Sequence, residues 1–517
     1  MGDADERLAV LPFLDGDARN GSIYEAIGVE PIINCRGTFT IIGGSVELAE
    51  VVAAMDAAHG HFVQYDELAE AVGRHLAAVT GAEWGLISAG CAAGLKHVTT
   101  ACVTGGSPER LIRVPNLEGF DKTQVILPRT SRTAYDHALR VVGVELVMVD
   151  TAEEMERAVN PSTAMIYVVT GRPTDPGQPL SLEVIAEIAR PKGIPILADA
   201  AAENLTIPCV HLERGATVAA YSGGKALCGP QCAGLVLGRK DLLMAAWQAS
   251  APHHGPGRSE KIGKEEILGM LAAVEAWVRR DHEAEWQEWL GILERISASV
   301  AEIDTVACRV EDPAGMSNRA PALTISWDPG GLNITGEEVA EEFARKRPRI
   351  AVGAADSGER AGIRINPSQM QPGDEEVVIG RIRRILTEPR GPRSDGLEPA
   401  AVDISGRWDL DVDYFTSTSR HRLTIAQDGN WIEGSHQSEF SVQELSGVVE
   451  GDEVRLSSAV SRPGDNVPFL FSGRAEGEAI SGTIHLGEYL TARFTAVRAR
   501  PRARRPITIP GGPPLAT

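Results

Sequence analysis

The sequence predicts an α/β protein with a mainly parallel seven-stranded sheet, a small α+β domain and a C-terminal antiparallel β-barrel or sandwich. The first observation behind this is a set of seven short apolar runs between residues 80 and 240. They are WGLIS (84–88), QVILP (124–128), VELVMV (144–149), AMIYVVT (164–170), IPILAD (194–199), TVAAYS (217–222) and AGLVLG (233–238). Continuous apolar runs separated by helical patterns such as LSLEVIAEIAR (180–190) mark strands buried on both faces of a parallel sheet. The second is the change of pattern after residue 402. Short runs of alternating polarity are punctuated there by Asp428-Gly429 and Gly451-Asp452, as in consecutive hairpins.

Taken in order, residues 1–21 form an acidic extension without the apolar segment of a secretory signal. Residues 22–260 hold the predicted sheet. Ile267, Met270, Leu271, Val274, Trp277 and Val278 recur at three- and four-residue spacing and predict a helix that opens a small domain over 261–388. Residues 389–401, rich in Pro, Gly and charge, read as a linker. The barrel-like domain spans 402–498, and 499–517 form a basic, Pro-rich tail. No convergent His, Cys or Asp set stands out in 402–498, so a structural or assembly role is expected there.

Composition narrows the function. A chain of 517 residues, 43% hydrophobic and 23% charged, is an ordinary globular protein of two or three domains. Its net charge of −21 argues against a nucleic-acid partner. No apolar run approaches the ~18 residues of a membrane span, and seven cysteines make no disulfide framework. Cys228 and Cys232 lack a second pair at zinc-ligand spacing, so no metal site is expected. A cytoplasmic enzyme acting on a small molecule is the expectation.

Three elements carry chemistry, and sheets of this kind bind ligands at the carboxyl ends of their strands. Lys225 follows a strand and a Ser/Gly turn, Tyr221-Ser222-Gly223-Gly224; it is either a solvated loop lysine or a confined, reactive amine. Asp199 ends IPILAD, where a carboxylate is costly unless paired; it is either a helix N-cap or the partner of a cation. The turn Ser88-Ala89-Gly90-Cys91-Ala92 leads from a strand into a helix, a place where backbone N–H groups meet a phosphate, although small-residue turns are common. Lys96, further along that helix, is expected on the surface.

Turn, strand-end Asp and Lys, in that order, resemble the fold-type-I pyridoxal-5′-phosphate (PLP) enzymes. The segments NGSIYEAIGVEPIINCRGTFTIIGGS, HFVQYDELAEAVGRHLAAVTGAEWGLISAGCAAGL, RTAYDHALRVVG, SGGKALCGPQCAGLVLGRKDL and AGIRINPSQMQPGDEE resemble the selenocysteine synthase and D-glucosaminate-6-phosphate ammonia-lyase-like family over residues 22–388. The resemblance implies that Lys225 carries PLP as a Schiff base and that Asp199 pairs with the pyridine nitrogen. It implies that backbone groups of Gly90, Cys91 and Ala92, with the Ser222 hydroxyl, hold the phosphate. Arg364 would grip a substrate carboxylate, its alternative being a strand-edge ion pair, and Asn34 and Arg36 would lie near the substrate. Ser131 stands where relatives carry a His whose ring often stacks on PLP; Tyr135 or His137 would substitute for it, the alternative for either being helix packing. The loop bearing His253, His254 and Arg258 would approach the site, across a homodimer or higher homo-oligomer. The implied reaction is α-proton abstraction and β-elimination on a β-hydroxy amino acid or amino-sugar acid, giving a 2-keto acid and ammonia. Racemase, aldolase or transferase chemistry is the alternative, and a non-catalytic binding scaffold is the alternative of another class.

Overall fold

A computed structural model describes residues 23–392 and 396–499. The N-terminal extension, residues 393–395 and the tail from residue 500 lie outside the described residues. The described residues divide into two compact units, on either side of 392/393.

In the first unit a short strand, β1 (Ile32–Asn34), precedes the main sheet. That sheet contains β2 (Trp84–Ser88), β3 (Gln124–Pro128), β4 (Glu145–Val149), β5 (Thr163–Val169), β6 (Ile196–Asp199), β7 (Val218–Ser222) and β8 (Gly234–Gly238), in the order β2-β8-β7-β6-β5-β3-β4. Each of the seven apolar runs thus forms one strand. Only β8 opposes its neighbours, pairing antiparallel with β2 and β7, whereas the other pairs are parallel. Alternate side chains feed two cores. Ile166, Val168, Ile196 and Ala198 face one, while Met165, Tyr167, Leu197 and Ala220 face the other.

Helix α1 (Cys91–Thr104) lies in the second core and is buried on nearly every side. Its lysine is therefore not on the surface: Lys96 is buried, and its Nζ meets Glu260 at 2.8 Å. The apolar stripe of α2 (Lys264–Arg279) packs into the first core of the main sheet, except for Val278, which is exposed.

The small core forms around α3 (His282–Val300) and an antiparallel sheet. That sheet consists of β9 (Ala307–Glu311), β10 (Ala322–Trp327), β12 (Gly353–Ala354) and β13 (Ala361–Ile365), in the order β12-β13-β10-β9. The strand between, β11 (Arg349–Ala351), pairs parallel with β1, and Cys35 is buried in the small core. By packing, then, the two cores are not separated by a single cut at 260/261. The predicted opening helix belongs with the large sheet, and the early segment around β1 belongs with the small one.

The second unit is a closed eight-stranded antiparallel barrel, which resolves the choice between barrel and sandwich. Strands β14 (Gly406–Asp413), β15 (Thr418–Asp428), β16 (Trp431–Gln437), β17 (Val442–Glu450), β18 (Glu453–Arg462), β19 (Asp465–Glu476), β20 (Ala479–His485) and β21 (Thr491–Arg498) follow one another around it, and β21 closes on β14. Gly429 and Gly451 take positive φ (59° and 56°) at two hairpin turns, where a side chain would be strained.

The interior is apolar except for a buried polar chain that the sequence reading did not find. Ser419 Oγ meets His421 Nε2 at 2.8 Å, His421 Nδ1 meets His436 Nε2 at 2.8 Å, and His436 Nδ1 meets Ser458 Oγ at 2.7 Å. Among the described residues no helix is long and apolar enough to cross a membrane.

Candidate active site

The sheet topology gathers the predicted chemistry on one edge. Ser88 and Ser222 both sit opposite Gly234 in register, and Asp199 lies on the neighbouring strand opposite Ala220. The strands β2, β6 and β7 end on this edge, and β8 begins there. Lys225, three residues beyond β7, lines a cavity of about 700 Å3 together with Arg36, Thr38, Tyr135, Arg280, Asn366 and Gln369.

Asp199 is buried, and its donors are neutral. The Tyr167 hydroxyl donates to Oδ2 at 2.7 Å, the Ala201 N–H donates to Oδ1 at 3.2 Å, and the Cys91 thiol lies 3.7 Å from Oδ1. Among the described residues no cation is in ion-pair contact with it. Burial pushes its carboxyl above the usual range, although the bonds from Tyr167 and Ala201 oppose that shift. A buried carboxylate served only by neutral donors is a fitting partner for a protonated ring nitrogen. Tyr167, which sequence reasoning missed, follows from strand alternation: Tyr167 and Asp199 both point to the α1 side of the sheet.

The turn before α1 has the form of an anion cradle. Gly90 is the N-cap, at φ 84°, and no side chain caps the helix. Its own N–H donates to the Ser88 carbonyl at 2.8 Å, and the first helical bond runs from Gly94 N–H to the Gly90 carbonyl. Among the described residues, the N–H groups of Cys91, Ala92 and Ala93 thus have no acceptor. Of the groups expected at Gly90, Cys91 and Ala92, the Gly90 N–H is already used to shape the turn, and Ala93 adds a further free N–H. β8 passes directly beneath: a Cβ on Gly234 would fall 2.4 Å from the Gly90 carbonyl carbon and 2.5 Å from the Cys91 nitrogen. Ser222 ends β7 at this edge. Asp199, the uncapped turn and Lys225 fit a phosphorylated, cationic-ring cofactor.

Other expectations meet different outcomes. Arg36 lines the cavity, its guanidinium 4.6 Å from the Phe39 ring centre. Asn34 does not line it. Its side-chain oxygen accepts from the N–H groups of Arg36 and Gly37, and its amide donates to the Gly37 carbonyl, so it shapes the loop that presents Arg36. Arg364 is not at the cavity either. Ile363 and Ile365 face the small core, which turns Arg364 outward into an ion pair with Glu311. Ser131 is buried and accepts a bond from the Val169 N–H at 3.0 Å. Tyr135 lines the cavity and His137 does not. His253 pairs with Asp66 at 3.1 Å, and His254 and Arg258 are exposed. Among the described residues no group of three or more His, Cys, Asp or Glu is placed to hold a metal.

Comparison with known proteins bears on this geometry. Residues 48–205 match the DegT/DnrJ/EryC1/StrS aminotransferase family. The solved structure of D-glucosaminate-6-phosphate ammonia-lyase superposes with a TM-score of 0.63 at 25% identity, covering 70% of this chain and 98% of that one. The first unit has the fold of the fold-type-I PLP enzymes. The barrel is an addition to that fold. Among curated relatives, the D-glucosaminate-6-phosphate ammonia lyase of Salmonella typhimurium is 28% identical over 376 residues, 70% of this chain and 98% of the relative. The 5′-C-glycyluridine monooxygenase-decarboxylase of a Streptomyces species is 29% identical over 401 residues, 74% of this chain and 97% of the relative. Sequences similar to this one thus carry more than one reaction.

Proposed function

We propose that this chain is a PLP-dependent ammonia-lyase that converts a β-hydroxy amino acid or amino-sugar acid to a 2-keto acid and ammonia. The observation that carries the reading is the single sheet edge that brings together Lys225, the buried Asp199 and the uncapped N-terminus of α1. When bound, PLP supplies the electron sink that allows a bond at the substrate α-carbon to break.

The chain supplies the rest. Cys91, Ala92 and Ala93 N–H groups and the Ser222 hydroxyl hold the phosphate, with the helix dipole favouring its charge. Asp199 holds the ring-nitrogen proton in place. Lys225 Nζ anchors the cofactor, takes the α-proton as general base and delivers a proton to the departing β-hydroxyl. The water lost in that step is regained when ammonia is released, so substrate and the two products balance. The Trp277, Trp286 and Trp289 side chains line the cavity and limit solvent around the reacting carbon.

A homodimer is part of the same reading. Ile41 and Phe62 are almost wholly exposed, and Ile41 directly follows the loop that presents Arg36. Burying such residues against a second copy would fix that loop, and sedimentation of the PLP-loaded protein checks it.

The similarity to a monooxygenase-decarboxylase favours a second reading, oxidative decarboxylation of an amino acid. One assay separates the two. Incubation with β-hydroxy amino acids and sugar analogues is expected to release keto acid and ammonia in equal amounts, without oxygen uptake or carbon dioxide. Stoichiometric oxygen consumption would transfer the assignment to the second reading.

A further inference from the structure

With Arg364 turned outward, the cavity needs another group to receive the negative end of an amino acid. Three arginines line it: Arg36, Arg280 and Arg319. Arg36 and Arg319 are exposed, and each lies against an aromatic ring, Phe39 and Trp286 respectively. Arg280 differs in being anchored and largely buried, with a side chain only 14% exposed. It sits where α2 gives way to α3, and it lines the cavity together with Lys225. Its Nη1 donates to the carbonyl of Ala226, the residue after Lys225, at 3.3 Å, and meets Glu285 Oε1 at 3.4 Å. Its guanidinium carbon lies 5.0 Å from the Trp277 ring centre, and Trp277 is itself fixed by a 2.9 Å bond from its indole N–H to the Leu205 carbonyl.

The other edge of the guanidinium is unmatched. Nη2 is buried and has no hydrogen-bond partner among the described residues. The Cys228 thiol is within reach of the guanidinium as a weak hydrogen-bond partner, but burial pushes that thiol up and keeps it neutral, so it offers sulfur and no counter-charge. A buried, charged donor without an acceptor is costly, and native structures keep such groups where a ligand or a function requires them. Glu285 offsets part of the charge through Nη1, and Arg280 lines the cavity, so Nη2 is the part of the group left without a counter-charge.

We infer that Arg280 binds the carboxylate of the amino-acid substrate, in the place that sequence resemblance gave to Arg364. This rests on the proposed amino-acid lyase reading. A carboxylate oxygen at Nη2 would make the charge-assisted bond that the site lacks. It would also fix the α-carbon relative to Lys225, because the same guanidinium grips the peptide group beside that lysine. Arg280 is then a substrate-binding residue that also sets the register between substrate and base.

The experiment uses PLP-loaded full-length protein, with serine and threonine and their carboxamides as probes, read through the visible absorption of the bound cofactor. Wild type is expected to bind the free acids at least about tenfold more tightly than the amides. Arg280→Gln should weaken the acids by about 10- to 100-fold and the amides by less than about threefold, and Arg280→Lys should restore part of the difference. Equal losses for acids and amides would mean that Arg280 merely supports the Lys225 loop, and the inference fails. It fails equally if wild type does not discriminate, or if Arg280→Gln leaves the discrimination intact. A wild-type protein that develops no cofactor absorption would instead remove the PLP reading itself, so the two failures are distinguishable.

Discussion

Asp199 in the sheet and His436 in the barrel are both ionisable groups taken out of water, and they are treated in opposite ways. Each ring nitrogen of His436 has a partner within its own domain, in a chain of hydrogen bonds that runs from Ser419 to Ser458. Asp199 receives hydrogen bonds only from neutral groups, beside a helix N-terminus without a side-chain cap, and the Lys225 charge acts on it without an ion-pair contact among the described residues. Burial alone therefore does not mark a site. What distinguishes the sheet edge from the barrel is unmet demand, and buried groups that demand a partner point to a ligand.

The largest test of this contrast is Lys225→Ala. Turnover should fall by about 10⁴-fold or more, because both the anchor and the base are lost. Borohydride should then fix no pyridoxyl group to the variant, as peptide mass analysis can show. Asp199→Asn comes next, with an expected loss of about 10²- to 10³-fold in the rate of α-proton exchange while PLP stays bound. Near-normal exchange in that variant would mean that another group answers the ring nitrogen.

The barrel should respond to pH and not to substrate. Burial holds the ionisation of both histidines below the ordinary value, for His436 at about 3, with His421 adding to the effect. The unfolded chain therefore takes up protons first as pH falls from about 6.5. Stability from the neutral pair is fully present above that value and should be lost progressively toward pH 3. Amide exchange across β15, β16 and β18 is the readout, and Ser458→Ala should raise exchange there even at neutral pH, by leaving His436 Nδ1 unmatched. Flat protection between pH 6.5 and pH 4 would show that the polar chain contributes little. The smallest effect is expected from ending the chain at Pro392: turnover by the remaining unit should change by less than about twofold. A large loss at saturating substrate would give the barrel a catalytic part and dissolve the contrast.

Much of this is legible in the sequence, for local reasons. Each strand of the main sheet is one apolar run, so strand count and order of appearance could be read directly. Lys225, Asp199 and the turn at Gly90 each follow such a run, where topology places ligands. Other features depend on direction or partners that a linear pattern does not contain. Arg364 looked like a substrate ligand, but one step of strand alternation beside Ile363 and Ile365 sends it to the outer face. Lys96 looked solvated because helices usually carry lysine outward, yet α1 has apolar neighbours on nearly all sides. His421 and His436 stand 15 residues apart on neighbouring strands, and only barrel closure makes them touch. Arg280 follows a helix that ends in Arg279, and nothing in the sequence separates the buried arginine from the exposed one.

The contact between β8 and the turn before α1 also bears on how this protein can evolve. Gly234 has room for a hydrogen and nothing larger, and a Cβ on Gly94 would come within 2.7 Å of Val236 and 3.0 Å of the Ser88 hydroxyl. Ser88, Gly90, Gly94, Gly234 and Val236 thus share one clearance, so a change at any one alters what the others can accept. Substitutions there should be strongly epistatic, with Gly234→Ala and Gly94→Ala each harmful alone and their combined cost far from additive. Lineages of this fold would have to cross that position by paired replacements, and the cradle would drift as a block while the surrounding helices vary one residue at a time.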